Sequence, residues 1–263
     1  MPYATVQGTE LFYRDHGTGR PLLLVHGWAT SSRVWEAQFA DLATDHRVIA
    51  LDCRGCGRSD RPDDGHTMAG NVADLLGLVE ALDLPSPVLV GSSIGATFAL
   101  AAAAAAPERV GGVVSVDGPG HWPGTGMAAE LQAVAARLAS DRATAVREWV
   151  PTWYGTAVGP ELHERTLAQI LDSSPAVDNL FPQAAGYDPR PLLPALDLPA
   201  AFLHGDQETQ IPLAVSRTLA GLARHGSLHV VEGSGHMPHE EQPAAFNQLL
   251  RAVVRDMSAR VAA

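Results

Sequence analysis

The chain predicts an α/β fold, a mostly parallel central sheet with helices on both faces and a helical insertion, on three observations. Short runs such as Pro21-Leu22-Leu23-Leu24-Val25 are apolar at every position, the mark of strands covered on both sides. Helical patterns alternate with those runs, as a parallel sheet requires. One such run, Pro87-Val88-Leu89-Val90, leads through Gly91-Ser92-Ser93-Ile94-Gly95 into an alanine-rich stretch, which reads as strand, sharp turn and helix.

Taken in order, residues 11–16 alternate in polarity and close on Gly17-Thr18-Gly19, so the chain opens with a short antiparallel strand or hairpin. The strand at residues 21–25 ends in His26-Gly27-Trp28, followed by a polar turn and a helix near residues 34–43. Val48-Ile49-Ala50-Leu51 is a second buried strand. Its turn, residues 52–59, holds Gly55-x-Gly57, but the third glycine of a dinucleotide site is missing and no helix pattern starts at once. A helix over about 68–82 precedes the strand before Ser93. The helix after Ser93 stops at Pro107, and residues 112–117 form the next strand.

The alternation then breaks. Helical patterns at 127–139, 143–153 and 161–171 follow one another with no strand between them, and the sheet resumes at 200–204 and 227–231 before a final helix from Pro243. The expected organisation is a core domain of residues 1–118 and 197–263, with residues 119–196 inserted as a helical lid over the strand ends, where ligands bind in open α/β sheets. No internal repeat is visible.

Composition narrows the partners. The 263 residues are 46% hydrophobic, enough for one large core, and 18 basic against 29 acidic residues leave a formal charge of −11. That sign repels nucleic acid and anionic membrane surfaces, so neither partner is expected. Residues 1–7 show no basic region followed by an apolar core, and no run is long and apolar enough to span a bilayer, so a cytoplasmic protein is expected. Cys53 and Cys56 make a Cys-x-x-Cys without further ligands nearby and are read as two small residues in a turn; no metal and no cofactor are expected. Oligomeric state is not readable.

A serine in a tight strand-to-helix turn presents its hydroxyl outward while the helix-end amides face its oxygen, provided its neighbours are small, and Gly91 and Gly95 meet that need. Such a hydroxyl requires a general base, and the base a group to hold its tautomer. Of eleven histidines, His236 follows the last strand directly, in a glycine-containing loop able to reach back to Ser93. His204 lies within its strand end, His239 starts the last helix, and His225 and His229 flank a turn; these are read as structural.

With these motifs in place, the chain resembles the α/β-hydrolase superfamily, in its lidded serine esterase and cofactor-free haloperoxidase-like branch. His26-Gly27-Trp28 with Trp35 resembles the family's oxyanion loop, Gly91-x-Ser93-x-Gly95 its nucleophile elbow, and Gly235-His236-Met237-Pro238-His239-Glu240-Glu241 its histidine loop. The resemblance implies Ser93 as nucleophile, His236 as base, and the backbone amides of Trp28 and Ile94 as oxyanion hole. Two departures stand out: Ser92 precedes the nucleophile where many relatives carry histidine or a bulky residue, and Glu208 occupies the place of an aspartate in His204-Gly205-Asp206-Gln207-Glu208. For the acid, Glu208 ranks first, Asp117 second, and Asp206 third, the last as a turn brace.

The resemblance implies hydrolysis of a small apolar carboxylic ester or lactone through an acyl-serine. Thioester hydrolysis, perhydrolysis and carbon–carbon bond hydrolysis use the same residues. The alternatives from other classes are a cofactor-free dioxygenase using the histidine as base, and a hydrolase-like ligand receptor. Trp122, Trp149, Trp153, Tyr154 and Phe181 could line an apolar pocket, with packing inside the insertion the commoner role for each.

Overall fold

The computed structural model describes residues 2–119, 126–155 and 158–261, so Trp122 lies outside the described residues. The chain opens with the hairpin β1 (Tyr3–Val6) and β2 (Thr9–His16), joined through Gln7 and Gly8, whose φ values of 50° and 80° match a primed two-residue turn. There follow β3 (Pro21–Val25), α1 (Glu36–Leu42), β4 (Arg47–Leu51), α2 (Met68–Ala81), β5 (Val88–Ser92), α3 (Ile94–Ala105) and β6 (Gly112–Val116). A helical stretch, α4 (Gly126–Trp149), α5 (Pro160–Asp172) and α6 (Leu180–Gly186), separates these from β7 (Pro199–Gly205), α7 (Leu213–Leu222), β8 (His225–Val231), α8 (Pro238–Glu241) and α9 (Pro243–Val261).

The eight strands form one sheet in the order β1-β2-β4-β3-β5-β6-β7-β8, antiparallel at β1/β2 and β2/β4 and parallel elsewhere. Every residue of β3, β5, β6 and β7 is buried, which explains why their sequences carry no alternation. The buried alanines 96, 99, 102 and 103 let α3 lie close against the sheet. Because the chain runs from β4 across β3 to β5, the strand order reverses there, and the crevice beyond the carboxyl ends of β3 and β5 is where an open sheet receives a ligand.

Three readings need correction. β8 begins at His225, so His225 and His229 lie within this edge strand and do not flank a turn. Its residues are mostly half-buried, and the polar content proper to an exposed edge hides its start. Helix α7 went unread: it follows Pro212 with no side-chain cap, so the usual start signal is missing. His239 sits in the four-residue α8 and does not start the last helix: Gln242 separates α8 from α9, which begins at Pro243. The two helices expected around residue 141 are present as one bent element: Asp141 leaves helical geometry (φ −152°, ψ 89°) and its Oδ1 accepts from Thr144 N–H at 3.1 Å, capping the second half.

The turn after β4 is held by buried charge. Arg54 donates two hydrogen bonds of 2.6 Å to the two oxygens of Asp74 on α2, with side chains 7% and 2% exposed. Gly55 and Gly57 serve packing: a Cβ on Gly57 would lie 2.1 Å from Asp52 Oδ2, and one on Gly55 2.5 Å from the His66 ring. Cys53 and Cys56 are both buried free thiols, and burial pushes Cys53 well up and Cys56 up to about 12. Removing one partner of a buried ion pair strands the other, so Arg54→Ala should lower the unfolding free energy by roughly 3 to 5 kcal/mol, read from the urea midpoint. The folded protein should resist a disulfide thiol reagent at pH 8, and both cysteines should react once guanidinium unfolds it.

Candidate active site

The site begins with a backbone constraint. Ser93, between β5 and α3, has φ 51° and ψ −126°, a conformation that a residue with a side chain rarely adopts. Its amide donates to Val116 O at 2.9 Å and its carbonyl accepts from Ala96 N–H at 2.9 Å, pinning the turn from both sides. The flanking glycines are sterically obligatory: a Cβ on Gly91 would lie 2.3 Å from Gly95 O, and one on Gly95 2.4 Å from His26 O. Ile94 opens α3, and the opening amides of a helix have no acceptor within it.

Parallel pairing of β3 with β5, Val25 opposite Gly91, brings the loop at His26-Gly27-Trp28 beside Ser93. A Cβ on Gly27 would come within 3.3 Å of Ser93 Cβ. His26 is the brace of that loop: Nδ1–H donates to Gly27 O at 2.7 Å and Nε2 accepts from Cys53 N–H at 2.9 Å. Burial lowers its pKa, so it stays neutral in that tautomer.

At the other end of the sheet, β7 and β8 pair with Gly205 opposite Val231, so the loops that follow them face each other. There His236 Nδ1 hydrogen-bonds Glu208 Oε2, with the Glu208 side chain fully buried, and Glu208 Oε1 accepts from Gln210 N–H. Burial pushes the Glu208 carboxyl up, but the His236 ring and the Gln210 amide outweigh it and hold the group below its usual value. Asp117 bonds elsewhere: Oδ1 accepts from Gly205 N–H at 3.0 Å and lies 3.3 Å from His204 Nδ1. Burial and the neighbouring charge of Glu208 push Asp117 well above the carboxylate range, while burial pushes His204 down. Asp206 Oδ1 accepts from Gly233 N–H at 2.7 Å and braces the two loops at their bases.

The histidine loop is tied to the helical insertion by bonds that sequence reading missed. His236 N–H donates to Trp153 O at 2.7 Å, and Glu241 accepts from Gly155 N–H at 2.8 Å and from Gly235 N–H at 2.9 Å. Glu240 accepts from Arg165 of α5 at 2.7 Å and from Tyr154 OH at 3.3 Å; burial pushes it up to about 7. Trp28 Nε1 donates to Asp178, itself held by Arg142. Acidic residues in a loop are common, and only the folded insertion gives these their partners. His239 stacks on Trp35 with ring centroids 4.2 Å apart, and burial lowers it to about 3.

Ser93 and His236 line one cavity of about 140 Å³, with Trp28 and Ile94 also on its wall. Trp149, Trp153 and Phe181 line it from the insertion, so packing and lining coincide: Trp28 and Phe181 have centroids 4.9 Å apart, and Trp149 and Trp153 5.3 Å. Tyr154 instead bonds Thr166 and Glu240.

Comparison with known proteins fixes the family and the fold. The model of the alpha/beta hydrolase family matches residues 22–249. A 2-hydroxymuconate semialdehyde hydrolase from Pseudomonas sp. (strain CF600) is 31% identical over 92% of this chain and 89% of its own. An esterase from Thermogutta terrifontis superposes with a TM-score of 0.87 at 29% identity, covering 97% of this chain and 98% of that one. An esterase from Exiguobacterium antarcticum superposes at 0.91 with 22% identity, over 96% and 98%, a likeness of fold. With a strand-to-helix elbow at the sheet's crossover and a family model spanning nearly the whole chain, this protein belongs to the alpha/beta hydrolase family.

Proposed function

We propose that the protein hydrolyses a small carboxylic ester or lactone through an acyl-serine on Ser93, with His236 as base, Glu208 as its acid and residues 119–196 as a lid. The observation that carries this reading is the hydrogen bond between Glu208 and His236 Nδ1, in a histidine that shares a cavity with Ser93. A carboxylate on Nδ1 fixes the tautomer that leaves Nε2 free to accept a proton, and stabilises the imidazolium that results. The likeness to the 29% identical Thermogutta terrifontis esterase supports the ester bond as the target.

Ser93 Oγ attacks the carbonyl carbon as its proton passes to His236 Nε2. The carbonyl oxygen takes up the charge, which the amides of Trp28 and Ile94 receive as donors. Pre-set donors of this kind contribute about 3 to 4 kcal/mol each to lowering the barrier. The tetrahedral species then collapses, the carbon–oxygen bond to the leaving group breaks, and His236 returns the proton to the alkoxide. Water repeats the sequence on the acyl-serine, releasing the carboxylic acid and restoring Ser93. For a lactone, the leaving alkoxide stays attached and the product is a hydroxy acid.

Ser93→Ala should abolish turnover of p-nitrophenyl butyrate and labelling by a serine-directed phosphonate; undiminished turnover would refute the mechanism. Glu208→Gln should lower kcat by about 10³ to 10⁴ through the wrong tautomer. Asp117→Asn keeps an acceptor for Gly205 N–H and should cost far less; the opposite ranking would move the acid to Asp117. Oxygen uptake on a heteroaromatic substrate in Ser93→Ala would instead favour the dioxygenase reading.

Only neutral His236 can take the serine proton, so kcat/KM should rise with pH as the histidine loses its proton. Glu208, held below its ordinary range, stays ionised throughout that rise, which should therefore follow a single proton. A profile flat from acidic to alkaline pH would exclude a histidine base.

A further inference from the structure

The cavity's chemistry also bears on which acyl group it accepts, an inference that rests on the hydrolase reading above. Its described wall is aromatic and aliphatic, and the polar side chains in it are largely committed. Trp28 Nε1 donates to Asp178 at 3.2 Å and Trp149 Nε1 to Gln210 Oε1 at 2.8 Å. Gln210 Nε2 donates to Thr209 Oγ1 at 2.9 Å, Thr209 Oγ1 to Thr152 O at 3.2 Å, and Thr30 Oγ1 to Gly27 O at 3.2 Å. Trp153 Nε1 has no hydrogen-bond partner among the described residues, and one neutral donor falls short of what two carboxylate oxygens need.

Among the described residues, no arginine lines the cavity, and the chain has no lysine at all. The guanidinium of Arg142 lies 5.6 Å from the centre of the Trp28 ring. It is spent on Asp178, Ile170 O and Ser173 Oγ, so its charge is already matched. Arg137, which shares a neighbouring pocket with Val134 and Trp149, is paired with Glu148. The carboxylate in the wall is Glu130 of α4, which is solvent-exposed and so stands at the rim. A second carboxylate on an incoming acyl group would shed water, find no cation and meet a like charge.

We infer that Glu130 and the aromatic wall make the site selective for uncharged acyl groups, with Glu130 as the residue that rejects acyl chains carrying a terminal carboxylate. The class of substrate is therefore a neutral small ester or lactone, and dicarboxylic half-esters are excluded.

The test compares methyl butyrate with monomethyl succinate, matched in acyl length and differing by a terminal carboxylate, by proton release from the purified full chain. Wild type should favour methyl butyrate in kcat/KM by on the order of a hundredfold, the scale of a like-charge juxtaposition in a partly desolvated site. The ratio should narrow about tenfold in Glu130→Gln and further in Glu130→Arg, where a cation replaces the repulsion. A wild-type ratio near one would overturn the inference, as would the same ratio in both variants. Failure of wild type to hydrolyse either ester above the Ser93→Ala background would instead overturn the hydrolase reading, and this inference with it.

Discussion

The structure depends on a single sharp reversal at Ser93. Holding a residue with a side chain at φ 51° costs on the order of 1 to 3 kcal/mol, and such strain persists only where the surroundings leave no alternative. Here they leave none. The carbonyls of residues 25, 26 and 95 occupy the space where side chains on Gly91 and Gly95 would lie, so β5, α3 and the loop after β3 pack as one unit. The chain enters the turn from a strand buried on every residue and leaves it along a helix whose alanines seat it against the same sheet. Relaxing the turn would mean pulling one of these elements off the core, which is a far larger cost than the strain itself.

Opposite this rigid half stands a second one of different construction. The loops after β7 and β8 are set by hydrogen bonds between polar groups, with Asp206 at their base, Glu208 on the His236 ring and Glu241 gathering the amides of Gly155, Gly235 and, at 3.2 Å, Met237. Asp117, beneath them, fixes the end of β7 through Gly205 N–H and stays out of contact with the ring. Sterics hold the proposed nucleophile, and electrostatics hold the proposed base. β6 joins the two halves within the sheet, and the cavity lies between them at the strand ends.

What the sequence makes legible follows this division. Runs such as Val88-Leu89-Val90 and the glycines around Ser93 announce themselves, because their constraints are local: full burial removes alternation, and a tight turn admits only small residues. The offsets of Glu208 from Gly205 and Pro212 place a carboxylate in the loop after β7, yet only coordinates distinguish its reach to Nδ1 from that of Asp117, which follows β6 and is turned to Gly205 and His204. Glu240, Glu241, Asp178 and Glu130 were invisible as functional candidates. Each draws its meaning from a partner 36 to 150 residues away or from a wall assembled by several helices, and no spacing rule encodes that. Helix α7 was lost for the opposite reason, a weak local signal rescued by packing of Val215 and Leu219 into the core.

The bond from His236 N–H to Trp153 O joins a loop of the sheet to the inserted helices through backbone alone, so only a proline at 236 or a movement of the chain removes it. With Gly155 N–H, two residues further on, bound to Glu241, the segment 153–155 and the histidine loop form one hydrogen-bonded unit, so a displacement of either is felt at the backbone of the other.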